Sequence, residues 1–152
     1  NIDEVIETTE WWKNNNVLDL LSWTEGFAKI QRGDHLFNFI DKEGNTLSNE
    51  LFHYVDNFCE GFAGVQRDDK LWNFIDKKGN YLSKEWFRYV YNYHEGFAIV
   101  QRDDKLYNFL DKQGNILSNE WFKDVYKLKE GFAQVRKING EWCRIDKTGN
   151  FL

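Results

Sequence analysis

The feature that most constrains this chain is a phrase that returns every 35 residues. Trp72-Asn73-Phe74-Ile75-Asp76-Lys77-Lys78-Gly79-Asn80 has copies starting at Phe37 and Tyr107, and a worn copy starting at Trp142. A second phrase, Glu-Gly-Phe-Ala, starts at Glu25, Glu60, Glu95 and Glu130, the same interval apart. Self-similarity at one fixed period means repeated units, none of which buries its apolar face alone. The copies occupy 25–59, 60–94, 95–129 and a truncated 130–152, read together as one domain. Residues 1–24 differ, although Glu10-Trp11-Trp12-Lys13 echoes Glu120-Trp121-Phe122-Lys123. That segment reads as a helical half-unit capping the N-terminal side.

Within a unit the pattern predicts a hairpin. Phe27 to Arg32 alternates with period two, as does its copy Phe62 to Arg67. The turns Gly33-Asp34, Asp68-Asp69, Asp103-Asp104 and Asn139-Gly140 hold residue types that tolerate positive φ. Leu36 to Asp41 carries apolar residues on both faces, which predicts a sandwiched strand. Asp41-Lys42-Glu43-Gly44 then predicts a turn, with the carboxylate accepting from the backbone and Gly44 in the left-handed region. A short strand at Thr46-Leu47 follows. Ser48 reads as a helix N-cap, and Leu51, Phe52, Val55 and Phe58 as the buried face of a two- to three-turn helix. Trp86, Phe87, Val90 and Tyr93 repeat that face, as do Trp121, Phe122, Val125 and Leu128. The expected fold is therefore a β-rich α+β repeat protein. It is an open array of four 35-residue units, each a hairpin, a short third strand and a short helix. Arg144, where other copies have Phe39, Phe74 and Phe109, suits an end unit facing water.

Seven Trp, seven Tyr and thirteen Phe supply the buried area such units need. The net charge is −5, with Lys and Arg scattered through every copy, so nucleic acid is not an expected partner. No apolar run is long enough to cross a bilayer as a helix, and no membrane partner is expected. The chain holds no Met, so its N-terminus is read as trimmed. Cys59 and Cys143 sit at different repeat positions and are not expected to pair, which favours a reducing compartment and the cytoplasm.

Given both phrases, Glu-Gly-Phe-Ala-x-Val and aromatic-x-Phe-Ile-Asp-Lys-x-Gly, the chain resembles the bacterial WG-repeat (KWG-type) family over residues 25–152. Units of that family read Glu-Gly-Leu/Phe-Ala-x-Val, a turn, then Trp-Gly-Phe-Ile-Asp-Lys-x-Gly. The Gly of the Trp-Gly pair is replaced here by Asn38, Asn73, Asn108 and Cys143. The proline-containing segment usual after the second turn is also missing, for the chain has no proline. The resemblance implies a β-rich repeat without catalytic activity that mediates binding, and it carries over no functional residues. A looser likeness is to cell-wall-binding repeats, whose aromatic hairpins take choline or glucan.

No residue set points to catalysis, a cofactor or a metal. Asp41, Asp76, Asp111 and Asp146 read as turn carboxylates: a calcium loop needs further oxygen ligands at alternate positions, and a Lys follows each Asp here. His35, His53 and His94 share no ligand spacing. Arg32-Gly33-Asp34 spells an integrin-type tripeptide, but the other copies read Arg-Asp-Asp, so Gly33 is most simply a turn residue. The aromatics at Phe37, Trp72, Tyr107 and Trp142 read as core rather than as a sugar-stacking groove. What stands out is Tyr54, Tyr89, Tyr91 and Tyr126, with Arg88, on the face predicted to be exposed. Tyr and Arg are enriched at interface hot spots. These five residues form the expected partner-binding ridge of a non-enzymatic protein-binding scaffold, inhibitor-like or immunity-like. Carbohydrate is the alternative ligand, favoured if Trp72 and Trp142 are exposed.

Overall fold

The structure is a computed structural model that describes residues 16–152. Glu10–Lys13, the core of the expected helical cap, lies outside the described residues. All regular structure among the described residues is β. The first sheet joins β1 (Val17–Thr24), β2 (Phe27–Arg32) and β3 (Phe37–Ile40) in that order. The second joins β4 (Tyr54–Val55), β5 (Ala63–Gln66) and β6 (Trp72–Ile75). The third joins β7 (Tyr89–Val90), β8 (Ala98–Gln101) and β9 (Tyr107–Leu110), and the fourth β10 (Asp124–Val125), β11 (Phe132–Arg136) and β12 (Trp142–Asp146). The chain forms two compact units, Asn1–Lys70 with Phe74–Tyr81, and Leu71–Asn73 with Leu82–Leu152.

The expected short helices are absent, so the class is all-β and not an α+β array of hairpins and helices. Residues 17–24, assigned to the helical cap, are strand β1. The misread segments are extended chain running from one strand pair to the next. Phe52 exchanges both main-chain hydrogen bonds with Phe37 of its own copy. One residue later His53 N donates to Gln66 O, and Asp56 N donates to Gly64 O of the following copy. Phe122, Lys123 and Tyr126 repeat this against Tyr107, Arg136 and Gln134. The buried positions Phe52, Val55 and Phe58 thus recur every third residue because the segment changes partner, not because it coils. A helix here would leave one edge of β5 without a partner. Phe, Tyr, Val and Trp also suit an extended chain.

Ser48 keeps the bonding of a cap without a helix behind it: its Oγ accepts from Glu50 N at 3.0 Å, a turn of the Ser/Thr type. The residue fixing it is Asn38. Its Nδ2 donates to Ser48 O at 2.8 Å, and its Oδ1 accepts from Ser48 N and from Phe39 N. Asn73 and Ser83 make the same pair of bonds, as do Asn108 and Ser118. The asparagine replacing the family's glycine is therefore a buried clamp.

The turns divide into three kinds. Between β1 and β2, Glu25 and Gly26 both have positive φ, 49° and 91°, the signature of a two-residue type I′ connection. The Glu-Gly of each phrase is therefore a turn, and the glutamate has a second use. Glu25 Oε1 accepts from Gly61 N at 2.9 Å and lies 3.2 Å from Lys77 Nζ; Glu95 receives Glu130 N and Gly131 N in the same way. In the next turn the left-handed residue of the first three copies, His35, Lys70 or Lys105, is one place later than the expected pair, whereas in the fourth it is Gly140, within the expected Asn139-Gly140. In the third, Gly44, Gly79, Gly114 and Gly149 take φ near 86–88°, as the sequence predicts. A Cβ on Gly79 would stand 2.6 Å from Leu47 O, and one on Gly114 2.6 Å from Leu82 O. At Gly79, Gly114 and Gly149 the turn is pressed against the main chain of the copy before it.

Burial follows the expected sandwich. β6 is buried along its length, and β3 and β9 from their second residue onward. One core of the second unit gathers Phe109, Phe122, Leu128, Ala133, Val135 and Ile145. Arg144 is exposed on β12, its guanidinium over the Phe132 ring.

Candidate functional site

The five ridge residues lie on the extended segments and not on helices. Tyr54, Tyr89, Tyr91 and Tyr126 are 44%, 42%, 45% and 61% exposed. Three of the rings nonetheless rest on the aromatic that begins the last strand of a sheet. Tyr54 meets Phe37 edge-on at 5.3 Å between centroids, and Tyr89 meets Trp72 at 5.6 Å. Tyr126 stacks on Trp142 at 5.7 Å and 28°. Tyr91 packs edge-on against Tyr89 at 4.9 Å, and its phenol is hydrogen-bonded with Tyr107. Burial first, then Tyr107, pushes the Tyr91 hydroxyl above the ordinary tyrosine value. Arg88 is held by Gln101 Oε1 at 2.8 Å.

Within the second unit the arrangement is a contact path, Trp72–Tyr89–Tyr91–Tyr107, followed by the pair Tyr126–Trp142. Asp124 stands where the earlier copies have Tyr54 and Tyr89, and bonds Arg136 at 3.1 Å. Sequence reasoning identified the tyrosines but missed their bases, which it assigned to the core. Trp72 is indeed 6% exposed, but Trp142 is 47% exposed. A 35-residue alignment of the two positions carries the signal, since Tyr91 and Tyr107 recur as Tyr126 and Trp142.

The other candidate groups are committed to the fold. Asp41 Oδ1 accepts from Glu43 N and Asn45 N, and Asp76, Asp111 and Asp146 repeat this. At Asp41 burial works to raise the carboxyl, but the donors at Asn45, Glu43 and Gly44 outweigh it and hold it low. Thr148, then Asn150, lowers Asp146. Arg32-Gly33-Asp34 is a turn: Asp34 Oδ1 accepts from Leu36 N, and a Cβ on Gly33 would lie 2.6 Å from Asn16 Oδ1. Arg67 and Arg102 grip Asp69 and Asp104 through two contacts each. Neither Cys59 nor Cys143 is in a disulfide. Among the described residues no helix is long and apolar enough to cross a membrane, which says nothing of strands.

By geometry, then, the chain is an all-β repeat protein built from successive three-stranded antiparallel sheets. Residues 39–70 and 72–105 match the family described as WG containing repeat, which bears out over those residues the resemblance read from the sequence. Among curated proteins no relative matches. Of solved structures, one titled as KlHsv2 with loop 6CD replaced by a Gly-Ser linker is similar at TM-score 0.52 and 10% identity, covering 90% of this chain and 52% of that one. The likeness is one of fold alone. The computationally designed Ika8 protein scores 0.48 at 12% identity over 90% of this chain and 48% of that one. The WD40 beta propeller domain of Doa1 scores 0.41 at 13% identity, covering 88% and 52%. Neither of these two carries an argument. The chain spans about half the length of each of the three.

Proposed function

We propose that this repeat scaffold is non-catalytic and binds another protein, inhibitor-like or immunity-like, through the ridge of Tyr54, Arg88, Tyr89, Tyr91 and Tyr126. The observation carrying this reading is the combination of exposure and support at the four tyrosines. Each tyrosine is 42–61% exposed to solvent while an aromatic beneath or beside its ring restricts its rotamers. A side chain already held loses little entropy when a partner covers it. The test changes all four tyrosines to Ser and measures capture of the native partner from the source cell. A folded variant that loses the partner supports the reading; one that retains it at unchanged affinity refutes it. A carbohydrate reading has one observation of its own, the exposed Trp142 stacked on Tyr126. Trp142→Ala separates the two: a glycan binder loses its ligand through that change alone.

A further inference from the structure

One cleft of the second unit lies beside Tyr91 of the ridge. It has a volume of about 320 Å³, with Phe109 and Leu128 as its buried floor and Tyr91, Phe97, Ile99 and the exposed Lys127 around it. That volume falls at the small end of ligand sites, about 300–1,000 Å³.

The first copy shows what belongs there. Shifting Phe97, Phe109 and Leu128 back by two repeats of 35 gives Phe27, Phe39 and Phe58. In that copy the Phe58 ring fills the wedge, stacked on Phe27 at 5.0 Å and 30° and edge-on to Phe39 at 4.9 Å and 60°. In the third copy the residue at the Phe58 position is Leu128, which has no ring to fill the wedge. A second change falls in the same place. Position 29 is Lys29 in the first copy and Ile99 in the third, which makes the wall apolar. Both substitutions turn a filled, charged-edged wedge into an open, apolar one. Lys127 adds a charge, where the equivalent residues Asn57 and Asn92 are neutral, beside His94, which faces Glu95 at 3.5 Å.

We propose that this cleft takes an aromatic side chain of a partner polypeptide, with an acidic neighbour of that residue against Lys127. The inference rests on the protein-binding reading and names the anchor the partner supplies. Phe58 is the argument for the occupant: the same wedge already accepts a ring carried by a peptide chain. A ring between Phe97 and Phe109 gains the offset and edge contacts that aromatic pairs favour.

The probe is an acetylated pentapeptide with one phenylalanine flanked by aspartates, titrated into isotope-labelled protein while amide shifts are followed at Asn92, Ile99 and Lys127. Saturable shifts are expected, with binding about tenfold or more weaker when alanine replaces the phenylalanine. Leu128→Phe restores the first copy's ring and Ile99→Glu sets a carboxylate against the peptide's aspartates, and each is expected to weaken binding by a similar factor while circular dichroism stays unchanged. Ile99 is only half-buried, so its variant carries the test if Leu128→Phe does not fold. The proposal is overturned if no shifts appear, if the alanine peptide binds as well, or if the variants bind unchanged. It is overturned equally if free phenylacetate binds as tightly as the peptide, for the site would then take a small molecule. A silent peptide, with the partner still lost on changing Tyr54, Tyr89 and Tyr126, sinks the cleft and leaves the ridge. A peptide that binds with no partner captured does the reverse.

Discussion

Asn108→Ala should be among the most destabilising polar substitutions in the protein. Asn108 is fully buried, and its amide makes four hydrogen bonds. Nδ2 donates to Ser118 O at 2.8 Å and to Glu120 O at 3.1 Å. Oδ1 accepts from Phe109 N at 2.8 Å and from Ser118 N at 3.3 Å. Truncation at Cβ leaves these main-chain groups without that partner, and Phe109 and Ser118 are buried. At about 1 kcal/mol for each bond the loss approaches 4 kcal/mol. Glu120 is exposed and its carbonyl can turn to water, which brings the expectation to about 3 kcal/mol. Asn108→Gly, which installs the residue typical of the family, removes the same bonds and should cost at least as much. Cys143→Ala is the internal control, because the worn copy has no amide at that position; about 1 kcal/mol or less is expected. Urea unfolding followed by circular dichroism measures all three, with unchanged m-values required for the comparison. A loss below about 1 kcal/mol for Asn108→Ala, or one equal to that of Cys143→Ala, would refute the clamp.

Two further outcomes follow from the turns. Gly114→Ala and Gly96→Ala both place a side chain at positive φ, 87° and 86°, and both should lose about 1–2 kcal/mol for that. Only Gly114 also has Leu82 O within 2.6 Å of the new Cβ, so its melting temperature should fall clearly further; equal falls would remove the close approach between copies as the reason for glycine. The depressed carboxyl of Asp41 contributes stability that is present above the unfolded value, about pH 4, and is lost as pH falls through its lower folded value. The stability of the wild type over Asp41→Asn should therefore hold at neutral pH and shrink in acid, as read by thermal melts; an advantage that grows in acid has the wrong sign for this account.

Much of the strand framework was legible because its signals are local. Alternation at Phe27 to Arg32, apolar residues on both faces of Phe37–Ile40, and the Asp41 turn each depend on neighbours within a few residues. The strands β4, β7 and β10 were not legible, for the partners of their segments lie in two different copies. Phe52 bonds Phe37 and His53 bonds Gln66, so burial at 52, 55 and 58 mimics a helical face. The phrase Glu-Gly-Phe-Ala was legible as a recurrence but not as a mechanism. Glu25 accepts a hydrogen bond from Gly61, 36 residues away, which no window of local propensity contains. The tyrosines were legible as anomalies of composition. Their aromatic supports were not, because Trp142 repeats Trp72 in sequence while its exposure differs sharply.

The segment that misled the sequence reading is also where the copies differ most, and one physical cause serves both. Main-chain bonds to two strand pairs fix residues 52–56 and their repeats, with buried side chains only at every third position. The positions between them contribute little to stability, so their side chains can change without unfolding the unit. Those positions hold Tyr54, Tyr89 and Asp124, then Asp56, Tyr91 and Tyr126. The same freedom reaches the end of the segment, where Phe58, Tyr93 and Leu128 differ in size although all three are buried. A side chain that shrinks on the surface leaves nothing behind. One that shrinks in a wedge between two phenylalanines leaves a cleft of defined shape. Repetition thus supplies both a rigid frame and, in the first copy's Phe58, a filled example of the site that the third copy leaves open.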